Sequence, residues 1–193
     1  MVPKRYIPLS LKNRLTTLIG EYVEEALLIV WPPLFEESIE NTDLSIGLRL
    51  KGGSDIVRIT IDESQEIVSI IETNHELDKN KYYEFEQLHE RLHQWMNNDL
   101  GKLDLEMYAT NTNWMFSCIN QSRIVDVILL YSSKADELIG LRILFENDFI
   151  LLTPTSDGST VESKYFRLID NNIETFSVFE PILNISLGEG GVL

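Results

Sequence analysis

Apolar residues along this chain follow two kinds of spacing. Between Tyr82 and Met96 they recur at steps of three and four (Tyr82, Phe85, Leu88, Leu92, Trp95, Met96), the stripe of an amphipathic α-helix. Asn97 and Asn98 are suited to ending that helix, and Gly101 follows. Ser10 can cap an earlier helix over Leu11, Leu15, Leu18, Ile19, Tyr22 and Val23, with Gly20 weakening its end. Elsewhere the period is two, or the run is apolar throughout. Ala26 to Trp31 reads as a short strand stopped by Pro32 and Pro33, before an acidic stretch with Glu36, Glu37, Glu40 and Asp43. Leu44 to Leu50, Ile56 to Ile61 and Ile67 to Ile71 read as three strands. Gly52-Gly53 supplies the positive φ of the first turn and Asp62 to Gln65 the second. Beyond the central helix, Leu103 to Tyr108, Ile124 to Tyr131, Leu138 to Phe145 and Phe149 to Leu152 continue the strand pattern, and Asp157-Gly158 marks a further turn.

Two segments resemble each other across the central helix. IGLRLKGGSD, from Ile46, and IGLRILFEND, from Ile139, align at an offset that matches Ile46/Ile139, Gly47/Gly140, Leu48/Leu141, Arg49/Arg142 and Asp55/Asp148. Each follows a helix and an apolar strand. Duplication of a helix–strand–hairpin unit would leave this pattern, and so would two unrelated amphipathic hairpins. Either way the expectation is an α+β fold: antiparallel sheet, or sheets, with two main helices packed on one face. Residues 1–193 form one domain, with pseudo-repeat halves at 1–75 and 76–170 if the duplication is real, and a flexible glycine-rich tail at 186–193. Arg49 and Arg142 sit at matching strand positions, either as a clamp for a carboxylate ligand or, the blander role, each bridged to a neighbouring acid.

Composition narrows the function classes. The chain is 44% hydrophobic and 24% charged, ordinary for a globular domain. No stretch approaches the ~20 apolar residues of a membrane helix. The N-terminus MVPKRYIPLS lacks the apolar core of a secretion signal, and the lone Cys118, among apolar neighbours, reads as a core residue in a reducing compartment. The expected location is cytoplasmic. Thirty-one acidic against 16 basic residues leave a net charge of −15. Such a surface repels phosphate backbones and anionic bilayers, which argues against direct nucleic-acid or membrane binding. The acidity either serves solubility or faces a basic protein partner.

One string looks like chemistry. His89-Glu90-Arg91-Leu92-His93 matches H-E-x-x-H, in which two histidines one helical turn apart share a Zn²⁺ and the glutamate activates the bound water. Asp99 stands where the extended zinc-peptidase pattern has its third ligand. Against this, Arg91 puts a positive charge inside the motif, and Met96 replaces the glycine that lets the chain turn back to the metal. The histidines also lie at the polar edge of the helical stripe. Three fixed letters recur by chance in on the order of one chain in a few hundred of this length. Metal ligands His89, His93 and Asp99, with Glu90 as base, therefore belong to a secondary reading as a zinc-dependent hydrolase. The primary expectation has no catalytic residues, no metal and no cofactor; P-loop, dinucleotide and nucleophile-elbow motifs are missing from the sequence.

The hairpin IGLRILFENDFILLTPTSDG, from Ile139 to Gly158, resembles those of small acidic bacterial immunity proteins that neutralise toxins. The resemblance implies a non-enzymatic protein-binding protein, an inhibitor of a basic toxin or nuclease, and assigns no particular residues. A structural or oligomeric subunit is the third alternative.

Overall fold

The structure is a computed structural model; it describes residues 9–32, 42–53, 56–62, 67–73, 82–97, 104–132, 137–155, 158–168 and 182–188. Two four-stranded antiparallel meanders dominate it. The first consists of β1 (Tyr22–Trp31), β2 (Asp43–Leu50), β3 (Ile56–Asp62) and β4 (Ile67–Thr73), each strand paired with the next. After β5 (Tyr82–Glu84) and β6 (Glu106–Ala109), the second repeats that order with β7 (Ser122–Ser132), β8 (Glu137–Phe145), β9 (Phe149–Thr155) and β10 (Gly158–Ser163). A last strand, β11 (Ile182–Ser186), runs antiparallel along the free edge of β7.

The two sheets meet at a fork. One edge of β1 pairs with β2 along most of its length. Its other edge is divided: Tyr22 and Val23 pair with β7, whereas Leu27 to Val30 pair with β6. A strand with partners on both edges and protein over both faces has no solvent side, so its sequence is apolar without alternation. ALLIVW is that run. Leu28 and Val30 enter the main core, whereas Leu27 joins Ile56 and Ala109 on the opposite face.

Gly47 shows how tightly that opposite face is packed. A Cβ there would lie 2.8 Å from Ile56 Cγ2 and 3.1 Å from Ile29 Cδ1. In the β2–β3 turn, Gly52 takes the left-handed conformation (φ 78°) and Gly53 donates its N–H to Leu50 O.

At the coarse level the α+β expectation holds, with antiparallel sheet as the larger part. Helix α1 (Leu9–Thr17) and helix α2 (Leu88–Met96) are short, and Leu11, Leu15, Leu88, Leu92 and Trp95 all enter the main core shared by both sheets. Several boundaries differ from the sequence expectation. The central helix was expected from Tyr82, but Tyr82–Glu84 is strand β5, parallel to β6, and Phe85–Gln87 is a 3-10 turn before α2. Tyr22 and Val23 belong to β1, not to the first helix; Gly20, at φ 88°, breaks the chain between them. Strands β10 and β11 and the Trp114–Phe116 3-10 turn were not anticipated. Of the expected tail 186–193, Ser186 and Gly188 are tied to Asp126, and Leu187 N donates to Val127 O; residues 189–193 lie outside the described set. Glu36, Glu37, Glu40 and Asp99 lie outside it too.

Candidate functional site

The H-E-x-x-H string occupies α2. His89 and His93 are exposed one turn apart, with ring centroids 4.5 Å from each other. Glu90 is exposed and its Oε1 accepts a hydrogen bond from Gln94 Nε2. Among the described residues, no group of three or more His, Cys, Asp or Glu is arranged to hold a metal ion.

Arg91, the residue that fits the zinc motif least, has a structural role. Its guanidinium forms a two-pronged ion pair with Glu106 of β6, Nε lying 2.6 Å from Oε2 and Nη2 meeting Oε1. The Tyr108 hydroxyl donates to the same Oε2 at 2.7 Å, and the guanidinium stacks 4.1 Å from the Tyr83 ring centroid. Glu106 is buried, so it needs these donors. The pair holds the Arg91 proton above its ordinary range, chiefly through the Glu106 hydrogen bond. Burial first, then Glu106, pushes the Tyr108 phenol well above its ordinary range. The network ties α2 to the sheet.

The matching arginines turn out differently. Arg49 pairs with buried Glu25 at 2.6 Å, and the Tyr82 hydroxyl donates to the other Glu25 oxygen at 2.7 Å. Burial and that carboxylate push the Tyr82 phenol up. This is the bridged role, not a ligand clamp. Glu25 and Arg49 are register partners across β1 and β2; across β7 and β8 the partner of Arg142 is Ile128. Arg142 instead lies 5.4 Å from the Phe149 ring centroid, and its Nε has no hydrogen-bond partner among the described residues. Cys118 is half-buried rather than in the core.

The arrangement with most to offer a partner was invisible in sequence. Phe85, Phe116 and Phe166 come from three separate connections and meet in one buried cluster, with centroids 5.1 to 5.4 Å apart. Each connection is locked by polar contacts. Gln87 Oε1 accepts from Glu84 N, Asn113 Oδ1 caps the next turn by accepting from Met115 N, and Ser163 Oγ accepts from Phe166 N. Asp148 Oδ1, also buried, accepts from Lys164 N at 2.9 Å.

Above the cluster stand Trp114, 66% exposed, and Tyr165, 44% exposed, with ring centroids 5.6 Å apart. Asn113 Nδ2 donates to Glu86 Oε1 at 2.9 Å, tying a carboxylate to the residue that precedes Trp114, and Lys164 Nζ lies 5.1 Å from the Tyr165 ring centroid. Glu84 and Glu90 are exposed on the same connection and helix start. Exposed large aromatics on a rigid base, next to acid, form the kind of surface that carries protein–protein hot spots. Spacing alone could not reveal it, because Trp114 and Tyr165 are 51 positions apart in irregular segments.

No protein-family model, no curated protein and no solved structure matches this chain. No described helix is long and apolar enough to cross a membrane, which leaves spanning by strands unaddressed.

Proposed function

We propose that this chain is a non-enzymatic, cytoplasmic protein-binding protein, an inhibitor of the immunity-protein kind that meets a basic partner such as a nuclease toxin. The observation that carries the reading is the exposed Trp114–Tyr165 pair, whose chain neighbours Phe116 and Phe166 are anchored in a buried cluster with Phe85, and beside which Glu86 is tied to Asn113, the residue before Trp114. A rigid aromatic anchor loses little conformational freedom on binding. A net charge of −15 speeds encounter with a basic surface and disfavours acidic competitors. The same reading takes the two meanders as copies of one ancestral helix–strand–hairpin unit, with both helices on a common face.

The test is capture followed by reconstitution. Tagged full-length protein is used to recover partners from cells that make it, and the recovered protein is purified and titrated back. The expected partner is basic, binds with 1:1 stoichiometry and loses affinity about 30-fold or more against the W114A/Y165A variant, the loss expected for removing a hot-spot pair. A partner that binds the variant as well as the wild type would remove this surface from the reading. Self-association that disappears in the variant, measured by sedimentation, would replace the inhibitor reading with that of an oligomeric subunit.

A further inference from the structure

Resting on that protein-binding reading, we infer that Trp114, Tyr165 and Glu86 together receive one arginine side chain of the partner. Three observations converge on this. First, the two rings offer exposed π-faces, whose negative quadrupole attracts a cation. Second, the chain's own cations already use such faces, one of them at Tyr165 itself. Lys164 Nζ lies 5.1 Å from the Tyr165 centroid, Lys51 Nζ lies 5.4 Å from that of Tyr22, and Arg91 stacks on Tyr83. Lys164 approaches Tyr165, whereas no described cation lies over Trp114. Third, Glu86 has one oxygen held by Asn113, and its Oε2 has no protein partner among the described residues. The tether fixes the carboxylate, and no described donor competes for the other oxygen.

Arginine fits this set better than lysine. A guanidinium is planar, so it can lie flat on the Trp114 indole while an N–H at its edge donates to Glu86 Oε2. An ammonium is compact and more strongly hydrated, and cannot stack and donate in the same way. Glu84 and Glu90 add long-range attraction that steers the cation in, without needing contact.

The probe is acetyl-Gly-Arg-Gly-amide, compared with the same peptide carrying lysine or citrulline, the last being a neutral near-isostere of arginine. The reporter is the set of tryptophan indole N–H signals of the isotope-labelled full chain. Trp114 is identified with W114F, and Trp31, exposed on β1, serves as an internal control for non-specific binding. The expected result is a saturable shift of the Trp114 signal with the arginine peptide, at least threefold weaker affinity for lysine, no shift with citrulline and a static Trp31. Glu86→Gln, which keeps an oxygen for Asn113, should weaken the arginine peptide threefold or more with the rest of the spectrum unchanged. Equal movement of Trp31 and Trp114, equal response to citrulline, or no effect of Glu86→Gln would overturn the inference. The two levels separate cleanly. A captured partner that depends on Trp114 and Tyr165, with no arginine response, sinks the cation site and keeps the protein-binding reading. Failure of both peptide and partner sinks both.

Discussion

Replacing Arg91 with methionine tests whether the middle of the H-E-x-x-H string holds the fold rather than serving chemistry. Methionine keeps most of the aliphatic length and removes the guanidinium. Glu106, with its side chain only 8% exposed, then keeps the Tyr108 hydroxyl as its one remaining side-chain donor among the described residues. Breaking a fully buried ion pair from one side costs about 3–5 kcal/mol. The Arg91 side chain is 18% exposed, so water can reach part of the site and the lower end applies; losing the stack on Tyr83 adds about 0.5–1 kcal/mol. A total of about 3–4 kcal/mol corresponds to a fall in Tm of roughly 6–16 °C for a chain of this size. Urea unfolding followed by far-UV circular dichroism gives the free energy directly. The double variant R91M/E106M should recover most of the loss, because an apolar pair of similar volume replaces the ion pair. Losses below about 1 kcal/mol in R91M, or a double variant as unstable as the sum of the singles, would refute the buried-network argument.

Three further outcomes follow from the same structure. Gly47→Ala should destabilise the protein by about 1–3 kcal/mol in the same urea assay, because its Cβ would meet Ile56 Cγ2 at 2.8 Å in a packed face. Stability should also fall at alkaline pH: the Tyr82 and Tyr108 phenols are raised above their unfolded value of about 10, so their contribution is whole below that pH and is lost as pH rises toward the folded values. Urea titrations at pH 9 and 11 should show this loss, and Tyr108→Phe should reduce the slope. Elemental analysis after exposure to Zn²⁺ should find less than one tightly held equivalent, and a chelator should leave Tm unchanged; one equivalent abolished by H89A/H93A would revive the zinc hydrolase.

Strand periodicity was legible where apolar residues alternate with small or polar ones, or where apolar residues crowd a central position. Leu44 to Leu50 and Ala26 to Trp31 are such cases. The error at Tyr82 has a physical cause. Tyr82, Phe85 and Leu88 satisfy helical spacing, yet Tyr82 points its hydroxyl at Glu25, and its backbone pairs with Met107. Spacing records which residues are apolar, not which tertiary partner is waiting. Strand β10 is missed for a similar reason: GSTVES reads as polar, but Ser159, Thr160, Glu162 and Ser163 are all buried, Thr160 bonded to Thr153 and Glu162 to Arg167. Buried polar strands carry no hydrophobic signal. The aromatic surface was equally silent, because Phe85, Phe116 and Phe166 are brought together only by the closed fold.

The forked pairing of β1 also sets an order of assembly. During synthesis β2 follows β1 at once, but the other edge of β1 waits for Tyr108 and Ala109, and for Ser122 and Arg123, which arrive roughly 80 to 100 residues later. At ribosomal speeds of about 5–20 residues per second, an apolar strand edge stays open for on the order of ten seconds. Such an edge is a template for pairing with the wrong chain. Translation tempo and chaperone cover over residues 30 to 110 should therefore govern yield more than the stability of the finished molecule does.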